Sequence, residues 1–299
     1  MTAGRVKIRD VGPRDGLQSE RSVEPGRRVE LICRLIGAGL ADVEVAAFVS
    51  PKAVPSMAGA ADVVAAACAG AVGTGATLWA LVPNAKGAEL ASAAGIDHLT
   101  ITVSASAAYS EKNVHMTIGE AKAQVESIRA GASDAVLDEV ISCCFGSPFE
   151  GEVITPDDVR ALVDHARSAG VDQVTLADTT GMATPRRVAA VLDAVGTDVG
   201  LHLHDTRGTA LVNAWSAIGL GVDRFDTALG GLGGSPFAPA AGGNLATEDL
   251  VMLLDDLGIE TGVNLDALLD AGPLLAELVG HGLPSRVAAA GGLRGRGTP

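Results

Sequence analysis

The sequence is poor in aromatic and charged residues, and this composition limits the classes of protein to which the chain can belong. Aromatic side chains make up 3% of the 299 residues and charged ones 19%, whereas hydrophobic residues reach 47%. Such a composition is not that of a disordered chain, because it supplies enough apolar side chains for a sizeable core. Small aliphatic residues dominate, and they suit closely packed layers of strands and helices. We expect one large domain or two of ordinary size.

Basic residues are also scarce. The chain has 22 Lys and Arg against 36 Asp and Glu, which gives a formal net charge of −14. Nucleic acids and anionic membranes bind through basic surfaces, so the composition argues against both as partners. An anionic substrate is still compatible, because one arginine and a metal ion can reverse the field inside a single cleft.

Cysteine is rare and is poorly spaced for disulfides or for a thiolate metal site. The four cysteines show no C-x-x-C spacing, and the adjacent pair is a poor disulfide candidate; they are Cys33, Cys68, Cys143 and Cys144. No apolar run is long enough to span a membrane, since Asp62 interrupts the nearest candidate at 57–73. The first residues do not read as a signal peptide. We therefore expect a cytoplasmic protein.

The sequence does contain a regular alternation of strand-like and helix-like segments. The predicted strands cover residues 6–11, 43–49, 77–82, 98–103, 137–144, 173–177, 200–204 and 225–229. Helical patterns follow them at 25–39, 60–71, 85–94, 118–130, 156–170, 185–195, 210–220 and 246–257.

Eight such units predict an α/β fold, a (β/α)8 TIM barrel in which the strand-to-helix loops form the active face. A doubly wound open sheet is the alternative, but the first turn lacks a dinucleotide fingerprint. We place the barrel at about 6–258, extra C-terminal helices at about 259–290 and a loose tail at 291–299.

Two histidines end the seventh predicted strand. Side chains alternate along a strand, so His202 and His204 would share one face. Two imidazoles at this spacing suit a single metal ion, although a pair of core histidines fits this stretch alone nearly as well. In a barrel, the loop after the first strand opens onto the same face, and Asp15 would add a carboxylate oxygen there.

Further candidates lie after the first and eighth predicted strands and inside the second. Asn244 either completes a metal shell or caps the next helix. Two histidines with two oxygen donors fit Mg²⁺ or Mn²⁺ about as well as Zn²⁺, and the lack of a thiolate weighs slightly against zinc. Glu44, inside an apolar strand, needs a partner, and Arg14 is the natural one. The glycine-rich loop that includes Gly233 and Gly234 permits close backbone approach to a ligand.

The ordered motifs resemble those of the 3-hydroxy-3-methylglutaryl-CoA (HMG-CoA) lyase family, within a wider group of metal-dependent TIM-barrel lyases and synthases. The resemblance covers residues 6 to about 262. It rests on VGPRDGLQ at 11–18, FVSPK at 48–52, PN at 83–84, KN at 112–113, ADT at 177–179, HLHD at 202–205 and GNLATED at 243–249.

The resemblance implies cleavage of HMG-CoA or a close analogue to acetyl-CoA and acetoacetate, or the corresponding oxo acid. It implies a divalent cation, Mg²⁺ or Mn²⁺, and an acyl-CoA or small hydroxy-acid substrate. Arg14, held by Glu44, would stabilise the enolate of the departing acetyl-CoA. The implied metal ligands are Asp15, His202, His204 and Asn244, of which Asp15 and His202 also count as catalytic. The implied substrate or CoA contacts are Gln18, Lys52, Asn84, Lys112 and Asp178. The two lysines are equally compatible with solvated surface charges. Asp178 is also compatible with an outer-shell role.

The chain also departs from this family. Ser235 stands where the family has a cysteine needed for activity, and Ser147 stands at a related cysteine position. An unperturbed thiol has a pKa of about 8.5 and a serine hydroxyl is a far weaker acid, so proton transfer by Ser235 would be poorer. The family's acid near Ser106 is replaced by Ala107, and its first-strand glutamate by Asp10.

Two alternatives therefore stay open. One is a related aldolase or acyl-CoA condensing enzyme that acts on another substrate. The other is a non-catalytic binding protein that has kept the fold. The apolar C-terminal helices from Leu265 onward favour a homodimer.

Overall fold

The strands close into a parallel barrel in sequence order. The structure is a computed structural model that describes residues 4–234 and 242–293. Its strands are β1 (Lys7–Asp10), β2 (Asp42–Ala47), β3 (Thr77–Leu81), β4 (His98–Ser104), β5 (Val136–Ser142), β6 (Gln173–Ala177), β7 (Gly200–His202) and β8 (Arg224–Thr227). β1 pairs with both β2 and β8, so the barrel has no free edge. The predicted TIM barrel is confirmed.

Helices follow the strands, as the alternating pattern predicts. They are α1 (Pro25–Gly37), α2 (Ala60–Ala71), α3 (Ala85–Ala93), α4 (Ala107–Val114), α5 (Ile118–Gly131), α6 (Pro156–Ser168), α7 (Pro185–Val195), α8 (Ala210–Leu220), α9 (Thr247–Asp256), α10 (Leu265–Val279) and α11 (Arg286–Ala290). Helix α4 was not predicted. It begins where the Ser106 side chain accepts a hydrogen bond from the Tyr109 N–H, and it has too few buried apolar positions to show helical periodicity.

Local sequence explains where several helices begin. Thr117 and Glu120 form a capping box at the start of α5, and Thr155 and Asp158 form another at the start of α6. These reciprocal side-chain bonds satisfy amide groups that the first helical turn leaves unpaired. These two helices are therefore fixed at the ends that face the carboxyl-terminal loops of the barrel.

The apolar core lies between the barrel and its helices, whereas the barrel interior is polar. Arg9 on β1 reaches Asp138 on β5, the opposite wall, with 2.8 Å between Nη2 and Oδ2. Both side chains must therefore lie inside the barrel. The Arg9 guanidinium also lies 4.9 Å from the centre of the Trp79 ring. Branched aliphatic layers fill most such barrels, so an ionic interior is a distinguishing feature of this one.

The C-terminal helices pack on the barrel of their own chain. The leucines of α10 are buried against α1 and α9, and α11 packs on α9. Arg21 donates to the carbonyls of Leu278 and Glu277, over 2.7 and 2.6 Å, and so caps the end of α10. The apolar surface from which the homodimer was predicted is therefore buried against helices of the same chain. The homodimer stays a prediction, and this surface no longer supports it. Of the predicted tail, residues 294–299 lie outside the described part of the chain.

Among the described residues, none of the helices has the length and apolar character needed to cross a bilayer.

Glu139 is an isolated acid in the apolar layer. It follows Asp138 on β5, so it faces the helices rather than the barrel interior. Its side chain is fully buried, and neither carboxyl oxygen has a hydrogen-bond partner among the described residues. Burial raises the pKa of Glu139 to about 8; Asp138 adds to the effect and Lys122 opposes it. At neutral pH this side chain is mostly a neutral acid.

We expect Glu139→Gln to stabilise the protein increasingly as the pH rises from about 5 to about 8. In that window folded Glu139 keeps a proton that the unfolded chain releases, so the wild-type stability falls with pH and the amide variant lacks this loss. The expected difference in unfolding free energy at pH 7 is on the order of 2 kcal/mol. Urea unfolding at several pH values measures it. Parallel pH profiles for the two proteins would contradict the prediction, and the exposed Glu150→Gln is the control.

A candidate metal centre at the carboxyl end of the barrel

The loop after β1 forms a tight turn at the carboxyl end of the barrel. The amides of Arg14, Asp15 and Gly16 all donate to the carbonyl of Val11, over 3.2, 2.7 and 3.2 Å. This π-helical turn, Gly12–Gly16, leaves Arg14 buried and Asp15 half-buried. The turn therefore presents a cation and a carboxylate side by side.

Asp10 anchors this turn to the other end of the chain. One carboxyl oxygen accepts from the Gly12 N–H over 2.8 Å. The other accepts from the Leu229 N–H over 2.9 Å and from the Thr247 hydroxyl over 2.6 Å. Asp10, which stands where the family has a glutamate, therefore links β1 to the turn after β8 and to the start of α9. Its burial raises its pKa to about 6.

His202 and His204 face the same side, as predicted. Their Nε2 atoms lie 3.2 Å apart. One atom each from Asp15, His202 and His204 lies within 4.8 Å of the others. Burial and the neighbouring His202 lower the pKa of His204 to about 3, so its ring is neutral and has a lone pair to donate. The geometry favours metal ligation over two satisfied core histidines.

Asn244 joins this group through a bridge between its backbone and that of His204. Its Nδ2 donates to Asp15 Oδ2 over 2.7 Å and to the Leu232 carbonyl over 2.8 Å. Its Oδ1 is buried and has no hydrogen-bond partner among the described residues. The alternative that Asn244 caps the next helix is wrong, because α9 begins at Thr247 and its N-cap is Ala246.

The donor set, which comprises Asp15, His202, His204 and Asn244, fits a divalent cation. The orphaned amide oxygen and the two facing imidazole nitrogens are the observations that support the fit, because a bound cation would satisfy all three atoms. Burial opposes ionisation of Asp15, but Arg14 and the two histidines outweigh it and lower its pKa. An ionised carboxylate is therefore ready as a ligand.

Arg14 and Glu44 form the predicted buried pair. Arg14 Nε lies 2.5 Å from Glu44 Oε2, and Arg14 Nη1 lies 2.7 Å from Asp15 Oδ1. The register of β2 shifts between Glu44 and Ala46, and such a bulge re-aims the side chains beside it. The guanidinium is thus held between two carboxylates, directly beside the donor set. Burial opposes its charge, but Glu44 and Asp15 more than compensate and raise its pKa.

Gly233 packs against the donor set with no room for a side chain. Its φ is +114°, a left-handed conformation that favours glycine. A Cβ atom there would overlap Asn244 Nδ2 and lie 2.8 Å from Asp15 Oδ2. Gly234 forms a bridge with Gly242. Gly234 and Gly242 therefore flank residues 235–241, which include Ser235 and lie outside the described part of the chain.

We expect Gly233→Ala to weaken Mn²⁺ binding by roughly 10-fold, because the added methyl group displaces both Asn244 and Asp15. Titration of the metal-free protein with Mn²⁺, followed by electron paramagnetic resonance, measures the dissociation constant. Gly208→Ala is a matched control: Gly208 has a φ of +69° but nothing within 4 Å of a Cβ, so it tests backbone strain alone. Equal affinities in the two variants would contradict the prediction.

The predicted CoA contacts lie on four different loops and helices. The Gln18 carbonyl accepts from the Ser56 hydroxyl over 2.6 Å, and the Asn84 side chain caps α3 by accepting from the Gly87 N–H over 2.9 Å. Lys52 is exposed in the turn after β2. Lys112, exposed on α4, lies 4.5 Å from the centre of the Phe149 ring. Their contact with CoA stays a prediction.

Asp178 directly follows β6, and its backbone N–H donates to the carbonyl of His202 over 2.8 Å. Its Oδ1 accepts from the Met182 and Ala183 amides over 2.8 and 2.9 Å, which holds the following loop. Its Oδ2 is buried and has no hydrogen-bond partner among the described residues. Burial raises its pKa to about 7. One oxygen is therefore structural, as the outer-shell alternative predicts, and the other is left for a ligand.

Glu152 supplies a carboxylate near Ser106, where the sequence has only Ala107. The Ser106 hydroxyl donates to Glu152 Oε2 over 2.5 Å, and the Ser147 hydroxyl binds the same oxygen. Both serines and this acid therefore link the loop after β5 to the start of α4. Ser147 has a structural role at its position in the described loop.

Sequence reasoning missed Asp226, which contacts His202. Asp226 Oδ2 lies 3.2 Å from His202 Nδ1, and Arg9 binds the same carboxylate. Burial opposes ionisation of Asp226, but Arg9 and His202 outweigh it and lower its pKa. The signal was present, because Asp226, like Glu44, is an acid inside an otherwise buried strand.

Comparisons with known proteins find relatives of similar sequence and similar structure. The HMGL-like family model matches residues 5–275. Over 301 residues the chain is 42% identical to (R)-citramalyl-CoA lyase of Chloroflexus aurantiacus. The alignment covers 96% of this chain and 95% of that protein. Over 294 residues it is 41% identical to the mitochondrial hydroxymethylglutaryl-CoA lyase of Macaca fascicularis, with 96% and 89% covered. An HMG-CoA lyase of Acinetobacter baumannii, solved with coenzyme A and 3-methylmalate, superposes with a TM-score of 0.90 at 38% identity over 100% of both chains.

Proposed function

Because the chain belongs to the HMGL-like family, whose relatives named above are carbon–carbon lyases, we propose that it cleaves a 3-hydroxy-3-methyl dicarboxylic acyl-CoA to acetyl-CoA and an oxo acid. HMG-CoA is the first candidate substrate, with acetoacetate as the oxo acid. The observation that carries the proposal is the contact between the Arg14 guanidinium and Asp15 of the donor set. A metal-bound hydroxyl and a cation for the enolate are the two groups that such a cleavage needs.

The donor set would hold Mg²⁺ or Mn²⁺ in preference to Zn²⁺, since two of its four donors are oxygens and none is a thiolate. When bound, such an ion lowers the pKa of the substrate's tertiary hydroxyl group and orients it.

In the cleavage, Arg14 would stabilise the negative charge of the enolate and Asp15 would accept the proton of the hydroxyl group. The bond between the α-carbon and the carbinol carbon breaks, and its electron pair passes into the thioester enolate. Arg14, fixed by Glu44, donates hydrogen bonds to that enolate oxygen, and its preorganised charge lowers the barrier. Asp15, kept ionised by Arg14, accepts the proton of the hydroxyl group. Ser235 stands where the proton donor to the enolate carbon is expected.

Citramalyl-CoA is the second candidate substrate, because the Chloroflexus relative that acts on it is 42% identical across nearly the whole chain. Its acyl group is one methylene shorter than that of HMG-CoA, and its cleavage gives pyruvate in place of acetoacetate. One methylene typically changes kcat/KM by about 10- to 200-fold, so the two substrates are readily distinguished.

The test is release of acetyl-CoA from each thioester with Mg²⁺ or Mn²⁺, with pyruvate and acetoacetate assayed separately. Wild type and Ser235→Cys are compared. We expect turnover of one substrate by wild type, and a faster reaction in the cysteine variant, because a thiol is the stronger acid. Silence of both proteins on both substrates, with Mn²⁺ bound, would overturn the proposal. Condensation of acetyl-CoA with an oxo acid would then test the condensing-enzyme alternative, and failure to bind Mn²⁺ would favour the non-catalytic one.

A further inference from the structure

The barrel register places Asp226 between an interior arginine and a predicted metal ligand. β8 lies between β1 and β7, and Asp226 is in register with Arg9 on one neighbour and with His202 on the other. The three side chains therefore lie in adjacent positions across three strands. All three are more than nine-tenths buried. This row, Arg9–Asp226–His202, connects the barrel interior to the donor set.

The Arg9 guanidinium holds the Asp226 carboxylate through two hydrogen bonds. Arg9 Nε donates to Oδ1 over 2.8 Å, and Arg9 Nη2 donates to Oδ2 over 2.9 Å. A bidentate bond of this kind sets both the distance and the plane of a carboxylate. The remaining capacity of Oδ2 is directed at His202 Nδ1, 3.2 Å away.

This arrangement selects one tautomer of His202. A carboxylate that faces a guanidinium fork only accepts hydrogen bonds, so the proton of the His202 ring must be on Nδ1. In the neutral ring the lone pair is then on Nε2, which faces His204 Nε2 at 3.2 Å in the donor set. Outer-shell carboxylates that orient a metal-binding histidine in this way typically change metal affinity by about 10- to 100-fold when removed.

Arg9 is itself anchored from the opposite wall. Its Nη2 lies 2.8 Å from Asp138 Oδ2, and the Thr175 hydroxyl donates to the same Asp138 oxygen over 2.9 Å. The guanidinium cannot rotate away from Asp226 without breaking this bond. Asp138 touches neither Asp226 nor His202 in these contacts, so it provides a control within the same cluster.

From these contacts we propose that Arg9 is a positioning residue for the metal centre: through Asp226 it fixes the orientation and tautomer of His202. The inference rests on the metal site of the proposed function. Among the described residues, no hydrogen bond or ion pair joins Arg9 to the donor set or to the Arg14–Glu44 pair, so we expect it to act through the carboxylate that it holds.

The test uses the full-length protein freed of metal and measures Mn²⁺ affinity by electron paramagnetic resonance, with no acyl-CoA present. We expect Arg9→Met to weaken binding by about 10- to 100-fold. We expect Asp226→Asn to do so as well, because an amide can donate to Nδ1 and select the wrong tautomer. The double variant should lose little more than either single one, since both act through one chain of contacts. Asp138→Asn, which leaves both Arg9–Asp226 bonds in place, should stay within about 3-fold of wild type.

Nitrogen-15 NMR of labelled histidine measures the tautomer of His202, which would not change if Arg9 only stabilised the fold. Metal-free wild type should show His202 protonated on Nδ1, and Arg9→Met a mixture of tautomers. Wild-type affinity and tautomer in folded Arg9→Met would overturn the inference. If Arg9→Met fails to fold, the nearly isosteric Asp226→Asn decides in its place. Since no substrate enters these measurements, their outcome is separate from whether either candidate thioester is cleaved.

Discussion

We expect Arg14→Gln to lower kcat for the cleaved thioester by about 10²- to 10³-fold, the range seen when one preorganised donor to a developing oxyanion is removed. The guanidinium is held by Glu44 and Asp15 over 2.5 and 2.7 Å, so its position is set before substrate binds. Its charge matters most when the enolate forms, so KM should change much less than kcat. The neutral amide loses this charge and cannot reach both carboxylates.

Steady-state kinetics with parallel Mn²⁺ titrations measure this effect. Mn²⁺ affinity should be largely retained, because the ligand atoms of the donor set remain. The exposed Arg186→Gln, which removes the same charge from the surface of α7, is the control and should match wild type. A kcat within about 3-fold of wild type for Arg14→Gln would show that another group stabilises the enolate.

The second large effect is expected from His204→Ala, which should abolish detectable Mn²⁺ binding and lower kcat/KM by at least about 10³-fold. Within the described part of the chain His204 Nδ1 has no hydrogen-bond partner, and its Nε2 faces His202, so we expect the ring to have little polar role besides ligation. Folding should therefore survive the substitution better than activity does. Chelation of wild type should have the same effect as the variant, and added Mn²⁺ or Mg²⁺ should restore only the wild type.

Thermal unfolding followed by circular dichroism checks that His204→Ala is folded. His115→Asn serves as a control, since His115 is exposed with a φ of 56° and asparagine tolerates that left-handed conformation. Full activity of the chelated wild type would contradict a metal-dependent reaction and would redirect attention to Arg14 and Asp178.

Periodicity predicted the eight strand–helix units because each amphipathic segment buries one face, and strand-end loops meet on one side of any such barrel. The Arg14–Glu44 pair could be predicted because an acid inside an apolar strand needs a partner. Asp226 met the same criterion, yet its partners depend on the register of β8 against β1 and β7, which one strand cannot reveal. Local pattern likewise could not tell that Arg21 caps α10, or that the leucines of α10 pack within the chain.

The donor set is assembled from segments that lie far apart in the sequence. Asp15 and Asn244 are bonded directly although 229 residues separate them, and Asp10 holds the seam where the first and last strands meet. During synthesis, the first β/α units therefore emerge with only one of the four donor residues, and the set is complete only when residue 244 has left the ribosome and the barrel has closed. A bound cation would then favour the closed barrel by mass action, so availability of the ion would influence how much of the newly made chain stays folded.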